Sequence, residues 1–234
     1  MLEVEARWLR ARLAELADDA LSPLLNLGSS DLHFRTAVQP WIDREVFAPL
    51  RARAVAVVHS DLKALPGVDI AADALGDEGL RRLREVGARA ILCCNMFEHV
   101  VDREALARRI DALVPAGGTL ILTAPESYPY HPDPIDTYYR TGPEELAREL
   151  FPGFTIVRAD VVAGPGYGRD LLRRALSARL PRDPLDWRFR LGPHGAPSLD
   201  ETAPPLVFSL SHDETHAAVA VAAGGAVGVD IERV

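Results

Sequence analysis

The feature that most constrains the fold is an alternation of short apolar runs with helical segments in the first half of the chain. The runs have the length of strands: 24–27, 54–58, 68–70, 90–94 and 119–123. Strands that alternate with helices predict right-handed crossovers and a parallel sheet. The run 90–94 is apolar throughout, as expected for a central strand buried on both faces. We therefore predict an α/β fold with a Rossmann-like doubly wound, mostly parallel sheet.

Composition and charge narrow the classes of partner. The chain has 234 residues and a formal net charge of -8, which argues against the broad basic surface that nucleic acids or anionic membranes require. The two cysteines, Cys93 and Cys94, are adjacent in an apolar run, so they point to opposite faces of a strand and fit a reducing compartment. The sequence contains no apolar stretch of membrane-spanning length and no signal-like start. We expect a cytoplasmic protein with no nucleic-acid or membrane partner.

The pattern changes after about residue 165. We predict a first domain over 1–165, ending in a strand at 154–162, and a linker over 166–186 that contains a short basic helix. A small, partial α+β segment follows over 187–234. Its predicted strands are 187–191, 206–210, 216–222 and 226–231.

Two of the predicted strands end in residues suited to a nucleotide-like ligand. Gly28, Ser29 and Ser30 form a small-residue turn whose backbone can approach a ligand closely. Asp61 ends the second strand, where a carboxylate can accept hydrogen bonds from both hydroxyls of a ribose. The structural alternative is an ordinary turn or helix-capping residue.

The ends of the third and fourth predicted strands add further candidate ligand-binding residues. Asp73 follows the third strand, where it can meet an adenine amino group, and Asn95 and Met96 follow the fourth, where they form a wall of the pocket. Asp73 could instead cap the next segment. In a doubly wound sheet all these loops lie at one edge, so their joint placement predicts a cofactor site.

The motif around the fourth strand resembles that of class I S-adenosylmethionine-dependent methyltransferases. It consists of Cys94-Asn95-Met96-Phe97-Glu98-His99-Val100, followed by Pro115-Ala116-Gly117-Gly118-Thr119-Leu120. The resemblance covers about residues 20–160 and implies S-adenosylmethionine as cofactor. It also implies methyl transfer to a small molecule or a carrier-tethered intermediate. Of that family's usual G-x-G-x-G turn, only Gly28 remains, and Ser30 occupies the place of the second glycine.

The loop 128–140 is the predicted substrate rim. His131 is the candidate proton acceptor for a hydroxyl or amine nucleophile. Asp133 and Asp136 could orient an amine, and Arg140 a carboxylate or phosphate. The alternative is a proline-stiffened surface loop whose tyrosines pack on the sheet.

The last part of the chain carries a different motif. Phe208-Ser209-Leu210-Ser211-His212 precedes Gly228-Val229-Asp230-Ile231-Glu232, and together they resemble the Sfp-type 4'-phosphopantetheinyl transferases over about 187–234. The resemblance implies coenzyme A, with a phosphate near His212, and an acyl or peptidyl carrier protein as partner. Asp230 and Glu232 would share one face of a strand, and two hard oxygen ligands suit Mg²⁺.

We derive three hypotheses for the function of this chain from these motifs, in order of preference. The leading one is S-adenosylmethionine-dependent methyl transfer. The second is phosphopantetheinyl transfer, but the family's W-x-x-K-E-A motif has no counterpart after Glu232, so we expect that chemistry to be incomplete in this chain. The third is a non-catalytic α/β domain that binds a ligand.

Overall fold

The structure is a computed structural model that describes residues 1–126, 128, 135–162, 167–182, 186–191, 197–200, 206–212 and 217–230. The chain divides into two compact units. The first comprises Met1–Glu126 and His131–Val162, and the second comprises Ser127–Tyr130 and Ala163–Val234.

The first unit has a parallel sheet with helices around it. Its helices are α1 Glu3–Ala14, α2 Asp18–Leu21, α3 Ala48–Ala52, α4 Asp77–Arg84, α5 Arg103–Asp111 and α6 Pro143–Leu150. Its strands are β1 Leu24–Leu27, β2 Val57–Asp61, β3 Ile70–Ala71, β4 Ala90–Cys94 and β5 Thr119–Thr123. Two π-helical segments, Phe34–Val38 and Ile42–Phe47, precede α3, and a 3-10 turn, Phe97–His99, follows β4.

The five strands of this sheet lie in the order β3-β2-β1-β4-β5, and every pairing is parallel. Leu25 of β1 lies between Val58 of β2 and Ile91 of β4. The prediction of an α/β fold with a parallel sheet and flanking helices is thus confirmed. The strand order reverses between β1 and β4, which is the topological switch point of this sheet.

Hydrophobic cores cover both faces of the sheet, because successive strand residues point to opposite sides. Leu24 and Leu92 belong to one core, and Leu25 and Ile91 belong to the other. The first core packs under α1, α3 and the second π-helical segment, and the second packs under α4, α5 and α6. Cys93 and Cys94 are free thiols, and they pack against different cores as predicted.

The strand predicted at 154–162 is absent, and this prediction was wrong. Side-chain contacts hold that segment instead: Asp160 Oδ2 accepts hydrogen bonds from Trp8 Nε1 at 2.9 Å and Arg158 Nε at 2.8 Å. Val157 is 93% exposed, so its apolar side chain has no core to join. The β-branched residues of this segment favour a strand, but no ladder partner uses that preference.

In the residues that the structure describes, the second unit has one helix and two antiparallel pairs of strands. Its elements are α7 Tyr167–Arg179, β6 Phe189–Leu191, β7 Pro197–Leu199, β8 Val207–His212 and β9 Ala217–Ala222. β6 pairs with β7, and β8 pairs with β9. Its core contains Leu172 and Leu176 of α7, so the helix expected within the linker packs as part of this unit.

No strand forms in residues 226–230, which contradicts the strand predicted over 226–231 as far as the structure describes it. Side chains of β8 hold this stretch: Ser209 Oγ accepts from the Val229 N–H at 3.2 Å, and Ser211 Oγ donates to Asp230 Oδ1 at 2.9 Å. These bonds replace a backbone ladder.

Across the parts of the chain that the structure describes, no helix combines the length and apolar character needed to cross a membrane.

A half-buried histidine links β2 to β1. His59 Nδ1 lies 3.0 Å from Asn26 Nδ2, which donates to it, and the ring of Phe47 packs edge-on at 4.7 Å. Burial lowers the pKa of His59 to about 4, and the nearby charge of Arg35 adds to the shift. The imidazole is therefore neutral in the folded protein near neutral pH.

This histidine predicts a loss of stability in mild acid. Between pH 6.5 and about 4 the unfolded imidazole is protonated and the folded one is not. The unfolded state then binds the extra proton, and stability falls as the pH drops, by about 3 kcal/mol in total. Denaturant unfolding across this range should show a weaker pH dependence in His59→Gln than in the wild type.

The matched control for that measurement is His33→Gln, at an exposed histidine of the same unit. It should keep the wild-type pH dependence. Equal slopes for wild type and His59→Gln would show that the imidazole of His59 does not govern acid stability.

Candidate functional site

Because all five strands are parallel, the loops that follow them lie at one edge of the sheet, called here the carboxyl edge. The structure places every predicted cofactor residue of the first unit there: Gly28, Ser29, Ser30, Asp61, Asp73, Asn95 and Met96. Their roles in binding a cofactor stay predictions.

The turn after β1 is shaped by two residues in the left-handed region. Gly28 has φ 73° and Ser30 has φ 54°. A Cβ at Gly28 would lie 3.1 Å from Met96 Sδ, so the loop after β4 packs directly on this turn. Met96 Sδ also lies 3.6 Å from Cys93 Sγ. The two loops at the switch point are therefore in contact.

The amide groups of this turn are already used within the protein. The Ser29 N–H donates to the Ser60 carbonyl at 2.9 Å, and the Ser30 N–H donates to Asp61 Oδ2 at 2.8 Å. Asp61 Oδ1 accepts from the Lys63 N–H at 3.3 Å. Asp61 thus fixes the turn after β1 as well as ending β2, a structural role that its position in the sequence left open.

The buried guanidinium of Arg35 binds backbone carbonyls of the same turn. Arg35 is 3% exposed and donates to the carbonyls of Ser29 at 3.1 Å, Ser30 at 2.6 Å and Gly67 at 2.7 Å. Burial lowers the pKa of Arg35, while the carboxylates around it, Asp69 first, oppose the shift. Sequence reasoning missed this residue, because an arginine in a helical segment carries no signal of such contacts.

Asp73 makes a local turn at the start of α4. Its Oδ1 accepts from the Leu75 N–H at 2.9 Å, which is the pattern of an Asx turn. The side chain is exposed, and its position follows from the pairing of β3 with β2, which sets Ala71 beside Asp61. Asp73 and Asp61 therefore lie at neighbouring strand ends.

Asn95 is held by a residue that the sequence did not point to. It has φ 49°, and its Nδ2 donates to Glu5 Oε1 at 2.7 Å. Thr123 Oγ1 at the end of β5 donates to the same oxygen at 2.6 Å, and the Leu2 N–H donates to Glu5 Oε2 at 3.1 Å. One carboxylate of α1 thus joins the ends of β4 and β5.

A second acid lies in the turn after β4. Glu98 is 2% exposed, and its Oε2 has no hydrogen-bond partner among the described residues. Burial raises the pKa of Glu98, while a hydrogen bond from its own backbone N–H and the neighbouring His99 imidazole oppose the shift. The Thr137 N–H donates to the Glu98 carbonyl at 2.9 Å, so residues 135–140 lie over this turn.

The structure does not describe every predicted site residue. His131, Asp133 and Glu232 lie outside the described residues. The backbone of His212 ends β8, but its side chain is not described. Asp230 is exposed and bonded to Ser211, and the described residues contain no cluster of three or more histidine, cysteine or acidic side chains suited to a metal.

A separate cavity of about 600 Å³ involves none of the predicted residues. It is lined by Asp77, Leu80, Arg81, Arg84, Glu85 and Arg109. Its arginines are largely paired, Arg81 with Glu78 at 2.6 Å and Arg109 with Asp77 at 2.7 Å. This charge balance gives no reason to assign it a ligand.

Comparisons of the chain with models of protein families, with curated proteins and with solved structures gave no match.

The contact between the two loops can be tested by substituting Gly28. Gly28→Ala adds a Cβ at positive φ and 3.1 Å from Met96 Sδ, whereas Gly87→Ala adds one at φ 62° with nothing within 4 Å. The backbone term should cost about 1–2 kcal/mol at both sites. The contact should cost a further ~0.5 kcal/mol or more at Gly28, measured by denaturant unfolding.

A double-mutant cycle isolates the contact. With Met96→Ala, the cost of Gly28→Ala should fall to that of Gly87→Ala. Equal costs for the two alanine variants while Met96 is present would contradict the packing of these loops.

Proposed function

We propose that the first unit binds S-adenosylmethionine at the carboxyl edge of its sheet and transfers the sulfonium methyl group to a small molecule or a carrier-tethered intermediate. The observation that supports this best is the strand order, which sets a switch point between β1 and β4 with the predicted residues around it. In open α/β sheets, ligands bind outside the carboxyl ends of the strands at such a point.

The adenosine end of the cofactor is assigned to the β2 and β3 side of this edge. Each carboxylate oxygen can accept two hydrogen bonds. Asp61 accepts one backbone N–H at each oxygen, so it keeps acceptor capacity for the ribose hydroxyls. Asp73 keeps its Oδ2 for a donor such as the adenine amino group, after Oδ1 accepts from Leu75.

The methionine end is assigned to the two loops at the switch point. The Ser29 and Ser30 amides already donate within the protein, so this turn contributes shape rather than hydrogen bonds to the cofactor. Gly28 and Met96 supply the packing surface there. Asn95 binds Glu5 through its Nδ2, which leaves its amide oxygen as an acceptor for the cofactor's ammonium group.

Methyl transfer depends more on the alignment of the nucleophile with the methyl group than on acid–base catalysis. The nucleophile attacks the methyl carbon in line, the carbon–sulfur bond breaks, and its electron pair goes to sulfur, which leaves as a neutral thioether. Orientation and exclusion of water supply most of the rate in such a transfer. His131 stays the predicted proton acceptor for the nucleophile.

The cofactor assignment is tested by calorimetric titration with S-adenosylmethionine and its demethylated product, S-adenosylhomocysteine. Asp61→Asn keeps the shape of the side chain and an acceptor for Ser30, but it removes the charge that favours two ribose hydroxyls. We expect it to weaken binding by about tenfold or more.

Asp77→Asn is the matched control. It makes the same change of charge at a carboxylate whose side chain is 92% exposed, and it should leave the affinity unchanged. Absence of binding to folded wild-type protein would refute the assignment. Tight binding without turnover across varied acceptors would instead favour a non-catalytic ligand-binding domain.

The phosphopantetheinyl transfer predicted for the second unit stays an alternative. In its favour, the Ser211–Asp230 bond sets that carboxylate beside β8, the strand that ends in His212. Its second carboxylate, Glu232, lies outside the described residues. This alternative implies Mg²⁺ at Asp230 and Glu232, coenzyme A near His212, and a carrier protein as partner.

A further inference from the structure

Among the described residues, Glu98 Oε2 is the one carboxylate oxygen that is buried without a hydrogen-bond partner. Glu98 Oε2 accepts no hydrogen bond from any described residue, although Glu98 is only 2% exposed. A buried carboxylate oxygen that lacks a donor costs more free energy than an ordinary hydrogen bond gains. Such an atom in a folded protein calls for an explanation, and a bound ligand is one.

The charges around Glu98 define what that ligand has to supply. Glu5 contributes a second negative charge, and its own oxygens already accept from Asn95, Thr123 and Leu2. The guanidinium of Arg140, whose charge also acts on Glu98, makes a bidentate pair with Asp136 at 3.1 and 2.6 Å. Glu98 thus lies near a second carboxylate and near the His99 imidazole, whose Nε2 is 3.9 Å from Glu98 Oε1, while Oε2 has no hydrogen-bond donor among the described residues.

Residues 135–137 cover the turn that contains Glu98. The Thr137 N–H and Oγ1 both bind the Glu98 carbonyl, at 2.9 and 3.0 Å, and His99 Nδ1 contacts the Ile135 carbonyl. These contacts fall within the loop predicted as the substrate rim. Residues 135–137 therefore lie against the turn that carries Glu98.

We propose that Glu98 binds the amino group of the methyl acceptor, so that the substrate of this site is an amine. This inference rests on the methyltransferase function proposed above. An ammonium group donates the hydrogen bond that Oε2 lacks and offsets the charges of Glu5 and Glu98 together. A hydroxyl acceptor supplies a donor but no positive charge, so it satisfies Oε2 without offsetting the charges of Glu98 and Glu5.

The same contact prepares the nucleophile. The ammonium nitrogen gives one proton to Glu98 Oε2, which takes the place of His131 as proton acceptor for an amine, and becomes a neutral amine with a free electron pair. That pair forms the new nitrogen–carbon bond as the carbon–sulfur bond breaks, and sulfur takes the released pair. The products are S-adenosylhomocysteine, a methylated ammonium ion and protonated Glu98, which then loses its proton to water.

The test compares acceptors that differ only in the reacting group, using S-adenosylmethionine labelled in its methyl carbon and the full chain. The probes are phenethylamine against 2-phenylethanol, and butylamine against butanol. We expect methyl transfer to the amines and little to the alcohols. Glu98→Gln should lower kcat/KM for the amines about 100-fold or more while the affinity for S-adenosylhomocysteine stays unchanged.

The control variant is Glu104→Gln, which makes the same change at a side chain that is 80% exposed. It should retain full activity. Preference for the alcohols, transfer to no amine by protein that binds S-adenosylhomocysteine, or unchanged amine turnover in Glu98→Gln would overturn this inference. Failure of the wild type to bind S-adenosylhomocysteine would instead overturn the proposed function.

Discussion

The parallel pairing of β1 with both β2 and β4 is the constraint on which the first unit depends. It buries β1 between two strands and two hydrophobic cores, and every residue of this strand is buried. It also brings the loops after β1, β2 and β4 to one edge, although they are separated by more than thirty residues in sequence. Without that pairing, neither the turn at Gly28 nor the contact with Met96 would form.

Polar groups at this edge are held by other parts of the protein. Arg35 fixes the turn after β1, and Glu5 joins the ends of β4 and β5. These bonds set the geometry of the loops before any ligand arrives, which is how a binding site reduces the cost of ordering its groups. Glu98 differs from these carboxylates and guanidinium groups, because its Oε2 is left without a donor among the described residues.

The sequence was informative where periodicity and strand ends decide the structure. The apolar run 90–94 gave a central strand, and Asp61 and Asn95 were placed at strand ends as predicted. Local pattern failed for 154–162, where β-branched residues favour a strand but Asp160 is bonded to Trp8 instead. The roles of Glu5 and Arg35 could not be predicted from the sequence. The partners of Glu5, Asn95 and Thr123, lie far along the chain. Arg35 binds backbone carbonyls, which every residue type has, so no sequence pattern indicates them.

The central claim is that the loops at residues 28–30, 61, 73 and 95–96 form one cofactor site. It is tested most directly by following the backbone amide signals of ¹⁵N-labelled protein by NMR during titration with S-adenosylhomocysteine. We expect the largest shifts at those four loops, all saturating at one ligand concentration. Shifts confined to the second unit, or shifts at only one of the four loops, would contradict it.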